Sequence, residues 1–119
     1  MVLVDTSVWV EHLRRGESRL AALLEETEVL CHPFVIGEIA CGHLRNRTGI
    51  LELLKTLPSV DRESDGEVLE FIERSRLQGK GLGLIDVHLL ASCVKARQPL
   101  WTLDARLGKS SAVLGQHYP

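Results

Sequence analysis

No charge of one sign dominates this chain, and that removes the simplest advertisement for a polyanion or membrane-surface partner. Fourteen Lys and Arg stand against sixteen Asp and Glu in 119 residues, a formal net charge of −2. Paired cysteines are missing as well. Three is an odd number with no evident framework, which points to reduced thiols and a cytoplasmic setting. No basic segment followed by a long apolar stretch opens the chain, so no signal peptide is expected, and no apolar run approaches bilayer-spanning length. Internal repeats, low-complexity tracts and linkers are absent. What is present is a chain 45% hydrophobic, enough for one core, and a single domain is expected over residues 1–119.

The chain opens on a short apolar run, Val2 to Val4, of strand character. It stops at Asp5, and Thr6 or Ser7 is placed to cap a helix with Val8, Trp9 and Leu13 apolar, ending near Gly16. A second helical stretch spans Glu17–Glu26, and Glu28–Cys31 reads as a strand bounded by Pro33. Helical patterns follow over Phe34–Leu44 and Ile50–Leu57, separated by a basic turn at Arg45–Gly49. Ser59–Arg62 is a candidate short strand, and Ser64–Leu77 is an amphipathic helix. Gln78–Gly83 is a glycine-rich loop, and Ile85–Ala96, apolar nearly all round, is a buried helix. Pro99–Thr102 is the next strand. The polar tail from Gly108 has room for one edge strand, at Ala112–Leu114. Strands alternating with helices give an α/β fold, a parallel sheet with helices on both faces.

Most acids of a soluble domain solvate its surface, and Glu11, Glu17, Glu25, Glu26, Glu52, Glu70 and Glu73 fit that role. Asp61, Glu63 and Asp65 precede a helix and complement its dipole. Asp5, Glu38, Asp86 and Asp104 fit less well, because each is flanked by apolar residues at a strand tip or on an inward helix face. Burying a charge without a partner is expensive. Carboxylates that converge also repel one another unless a cation neutralises them, and a hard divalent ion suits an all-oxygen site. If these four are metal ligands, fourteen basic residues face twelve remaining acids, and the near-neutral total hides an acidic hole in a basic surround.

Four stretches carry a resemblance: Val4-Asp5-Thr6-Ser7-Val8-Trp9, Gly37-Glu38-Ile39-Ala40-Cys41-Gly42, Gly83-Leu84-Ile85-Asp86 running into Leu89-Leu90-Ala91-Ser92, and Leu100-Trp101-Thr102-Leu103-Asp104. In this order and spacing the chain resembles, over nearly its whole length, the PIN-domain ribonucleases, and most closely the VapC-type toxins of bacterial toxin–antitoxin pairs. The resemblance implies a three-layer α/β/α fold with a short, mostly parallel sheet of four to five strands. It implies a Mg²⁺- or Mn²⁺-dependent endoribonuclease in which Asp5, Glu38, Asp86 and Asp104 bind metal and Thr6, Ser7 and Thr102 support the site. It also implies an RNA substrate, a cognate VapB-type antitoxin and a homodimer. The helices from Ser7 to Leu24 and from Phe34 to Leu57 are the candidate surfaces for both protein partners. His88 stands where the family more often has an aliphatic or small residue.

Other readings compete. Arg14-Arg15 with Arg19, Arg45 with Arg47, and Arg74-Arg76 with Lys80 read equally as solvated faces or as phosphate contacts; Arg14, Arg15, Arg45 and Arg47 are the candidate RNA contacts. Cys31-His32 and Cys41-x-His43 match no common zinc spacing, and Cys31, Cys41 and Cys93 read as buried small hydrophobes. His12 and His43 are candidate bases, more simply read as exposed. Trp9 and Trp101 belong to core or interface rather than to base stacking. Aspartyl-phosphate phosphatases also place an acid after a first strand, but need a second two residues on, where this chain has Ser7. The non-enzymatic alternative is a PIN fold kept only as an RNA-binding or protein-interaction module.

Overall fold

A computed structural model describes all residues from Met1 to Pro119. The elements run β1 (Val2–Val4), α1 (Thr6–Arg15), α2 (Ser18–Glu25), β2 (Val29–Leu30), α3 (Pro33–Cys41), α4 (Arg47–Thr56), α5 (Asp65–Ser75), α6 (Leu84–Ala96), β3 (Leu100–Trp101) and α7 (Ala105–Val113). The sheet is parallel with order β2-β1-β3; Leu3 pairs with Leu30 on one side and with Leu100 on the other. The chain therefore winds from β1 to one edge and then back across β1 to the opposite edge. Right-handed crossovers place these two connections on opposite faces, and the reversal falls between β1 and β3. Asp5 follows one of those strands and Asp104 the other.

The expected four to five strands reduce to three. Ser59 makes one parallel bridge to Cys31, and His117 makes one to Leu100, so each edge is extended by a single pairing rather than a strand. The expected strand at Ala112–Leu114 is instead the end of α7. That helix is started by Asp104, whose carboxylate accepts from the Arg106 and Leu107 amides, and is anchored by buried Leu107, Ser110 and Ser111. Small polar residues hide such a helix, because its inward face carries two serines. The helix expected to reach Leu44 stops at Cys41, with Gly42 as its cap. The basic turn is shorter than expected, because Asn46 in left-handed geometry (φ 51°) starts α4 at Arg47.

α6 is the central helix: Val87 through Cys93 are all buried, as its uniform apolarity requires. Each of the fully buried leucines, such as Leu89 and Leu90, contributes roughly 1.5–3 kcal/mol of transfer free energy. Trp9 and Trp101 are core residues. Cys31 and Cys93 are buried as expected, and burial pushes the Cys93 thiol up to about 12, whereas Cys41 is exposed. No helix is long and apolar enough to cross a membrane.

Candidate active site

Asp5 sits one residue beyond β1 and is only 6% exposed. It occupies the N-cap position of α1, where an aspartate ordinarily accepts a hydrogen bond from its own helix, yet its side chain makes no such bond. Forgoing that cap costs about 1 kcal/mol. The carboxylate is held elsewhere: Ser7 Oγ and Thr102 Oγ1 both donate to Oδ2, at 2.8 and 2.7 Å. The two hydroxyls lie 3.3 Å apart and are themselves oriented by backbone amides, Leu103 N–H to Ser7 and Asp104 N–H to Thr102, each 3.0 Å. Both hydroxyls are committed to Oδ2, which leaves Oδ1 of Asp5 without a side-chain donor. Neither Thr6 nor Ser7 caps α1, contrary to expectation, because both hydroxyls serve carboxylates.

Thr6 Oγ1 donates to Glu38 Oε1 at 2.7 Å, tying α1 to α3 and fixing the second acid. Asp86, in the first turn of α6, accepts from the Gly83 amide at 2.9 Å. Its proton affinity is raised, first by burial and then by the negative charges of Asp5 and Asp104. Asp86 is thus within electrostatic range of Asp5 and Asp104. Asp104 caps α7 through Oδ1. Asp5, Asp86 and Asp104 thus each lie at the start of a helix, where aligned peptide dipoles favour negative charge. These dipoles offset part of the repulsion without a cation. None of the four acids takes part in an ion pair.

No three side chains converge tightly enough to form a ready-made metal cage. The donors are nevertheless all hard oxygens without an ion-pair partner, and Mg²⁺ keeps several waters and needs only one or two carboxylates. The residues fit such an ion.

Of the candidate RNA contacts, Arg14 and Arg45 line a cavity of about 530 Å³ with Glu38, His43 and the apolar side chains of α1, α3 and α4. Arg15 instead pairs with Glu11 at 3.7 Å, and the Arg47 guanidinium donates to the Ala40 carbonyl at the end of α3. His12 accepts from the Glu17 amide through Nδ1. Arg19 lies over Trp101 and Tyr118. His88 belongs to a buried aromatic stack, edge-on to Phe34, whose ring lies near His32 and beneath the Arg62 guanidinium.

Two contributors to the polar architecture escaped sequence reasoning. The Gly83 amide was legible only as the residue three before an acid at a helix start, the spacing at which a carboxylate reaches back to its cap. Glu63 is not a surface acid at a helix start but is 5% exposed and paired with Lys95, 32 residues away.

A family profile described as PIN domain matches residues 2–111. Two curated relatives, named Ribonuclease VapC32 in Mycobacterium tuberculosis strains CDC 1551 / Oshkosh and ATCC 25618 / H37Rv, are each 45% identical to this chain over 116 residues. The matches cover 97% of the chain and 94% of each relative.

Proposed function

Because the chain belongs to the PIN-domain family, and to its VapC-type group, we propose that it is a divalent-metal-dependent endoribonuclease, the cytoplasmic toxin of a toxin–antitoxin pair. The observation that carries this reading is a set of carboxylates gathered without basic partners. Asp5 is locked by two hydroxyls, and Asp86 feels the charges of Asp5 and Asp104. Asp5, Glu38, Asp86 and Asp104 would hold Mg²⁺ or Mn²⁺. When bound, the ion supplies a Lewis acid for the scissile phosphate and lowers the pKa of the attacking water.

The protein's own part is positional. Ser7 and Thr102 fix the Asp5 carboxylate against rotation, Thr6 fixes Glu38 across α1 and α3, and the Gly83 amide fixes Asp86. Such supporting hydrogen bonds are worth roughly 10- to 100-fold in metal affinity or activity. Arg14 and Arg45, beside Glu38, meet phosphates of the incoming strand. In-line attack on RNA leaves a 5′-phosphate and a 3′-hydroxyl.

The cavity between α1, α3 and α4 combines an apolar floor, including Val10, Leu13 and Ile39, with a rim that includes Arg14, Arg45 and Glu38. It suits the covering segment of a VapB-type antitoxin, and the apolar faces of the same helices suit a homodimer.

The test is expression of wild type and Asp5→Asn, with RNA 5′-ends sequenced after brief induction. Wild type should arrest growth and create new ends, and Asp5→Asn should lose at least ~100-fold of the cleavage while remaining folded. Undiminished cleavage by the variant would remove Asp5 from the chemistry. Abundant folded wild type with neither arrest nor new ends favours the alternative, a non-catalytic RNA-binding or protein-interaction module.

A further inference from the structure

A second basic cavity, of about 380 Å³, opens between the C-terminal end of α5, the loop at residues 78–83 and α7. Arg76, Lys80, Arg106 and Lys109 line it, and no carboxylate does. None of the four takes part in an ion pair. Ordinary surface cations are interspersed with acids. The cavity beside α5 and α6 shows this, with Arg74 and Lys95 set among Glu63, Glu67 and Glu70. Four unpaired cations around one hollow repel one another, and a bound anion relieves that repulsion.

The hollow is shaped by backbone as well as by charge. Gly81 has φ +75°, and a Cβ there would meet Arg106 Cδ and Nη1 at 2.8 Å. The positive φ favours glycine here, and the missing Cβ leaves room for the arginine side chain to lie against the loop. The walls also continue the elements of the carboxylate site. The 78–83 loop runs into the helix that carries Asp86, and α7 is the helix capped by Asp104, with Arg106 two residues further on.

We infer that this cavity is a second phosphate site, taking a backbone phosphate of the RNA strand beyond the one being cut. The inference rests on the ribonuclease reading above. A phosphate held here, together with the carboxylates, fixes the direction in which the strand crosses the sheet edge. Contact with the backbone alone carries no sequence preference.

The experiment compares two doubly neutralised proteins in an Asp5→Asn background. Lys80→Gln/Lys109→Gln empties the cavity of two charges. Lys55→Gln/Arg97→Gln removes two exposed charges elsewhere. Binding of a fluorescently labelled, mixed-sequence single-stranded RNA is followed by anisotropy across a salt series. The cavity pair should bind roughly 10-fold more weakly at low salt, with the slope of log K against log salt reduced by about 0.7, as one fewer phosphate is neutralised. The control pair should change affinity by less than about 2-fold. With Asp5 restored, the cavity pair should raise KM roughly 10-fold and leave kcat within about 2-fold, because a remote contact is made equally in ground and transition states. Equal losses by the two pairs, or an unchanged KM while wild type cuts the RNA, would overturn the second site and leave the ribonuclease reading standing. Wild type that with Mg²⁺ neither binds nor cuts the RNA would overturn both.

Discussion

Two groups of acids in this molecule both lie near helix starts and differ in kind. Asp5, Asp86 and Asp104 lie at the starts of three helices, and none of them has an ion-pair partner. Glu63, 5% exposed, has Lys95 Nζ at 3.2 Å, and the same ammonium reaches Glu67 at 3.6 Å. In the second group the protein has supplied a counter-charge of its own, one ammonium shared between two carboxylates. In the first it has supplied hydroxyls, amides and helix N-termini, which orient carboxylates but do not neutralise them. An acid cluster points to a ligand when its hydrogen bonds are satisfied and its charge is not.

The buried histidines extend this comparison, because they too have no ion-pair partner, and burial favours their neutral form. His32 is fully buried; Nδ1 accepts from the Phe34 amide and Nε2 has no partner, and His88 Nδ1 is likewise unpartnered. Burial first, then the neighbouring His88 and Arg62, pull His32 down to about 4 from 6.5. The folded state holds its proton less tightly than the unfolded chain. Stability is therefore complete above pH 6.5 and falls as pH drops towards 4, by roughly 3 kcal/mol from this residue alone. His32→Asn keeps a capping oxygen without the titration. Urea denaturation at a series of pH values should show a shallower decline for the variant, even if its stability at neutral pH is lower. An identical decline would mean that His32 does not govern it.

The next effect in size separates the two acid groups directly. Lys95→Met should lower the thermal midpoint by several degrees, because it strands a buried carboxylate. Adding Glu63→Leu should recover most of the loss, since two apolar groups can replace a pair that neither can lose alone. If the single and double variants melt together, Glu63 does not depend on Lys95. The smallest effect has the opposite sign. In metal-free protein, Asp86→Asn removes repulsion from Asp5 and Asp104 and should raise the midpoint by a degree or two. Excess Mg²⁺ should raise the wild-type midpoint and leave the Asp86→Asn protein nearly unmoved. A destabilised Asp86→Asn protein would place this acid with Glu63 as a structural group.

The comparison also explains what the sequence discloses. Asp5, Glu38, Asp86 and Asp104 are conspicuous because each interrupts an apolar pattern, and β1 and α6 are legible because their burial is continuous. Glu63 is camouflaged by the acids around it, and its partner lies on a helix that only the fold brings near. α7 is concealed for a different reason. Its inward serines carry no hydrophobic period, and it is specified by the Asp104 cap and the burial of Leu107. The missing edge strands follow from scale, since a single bridge at Ser59 or His117 leaves too little repetition for a period of two to register. Ser7 and Thr102 carry no signal beyond their hydroxyls, and the shared bond to Asp5 exists only after β1 and β3 pair.

That shared bond has a consequence for how the protein comes into being. Asp5 and Thr102 are 97 residues apart, and Ser7 and Leu103 are 96 apart. A ribosome delivers Asp5 long before the Thr102 hydroxyl that immobilises it. Until then the nascent chain carries Asp5, Glu38 and Asp86 without the clasp that orders the first of them. The site is therefore assembled only after Thr102, Leu103 and Asp104 have been added, and a transcript cut before Thr102 yields an unassembled one.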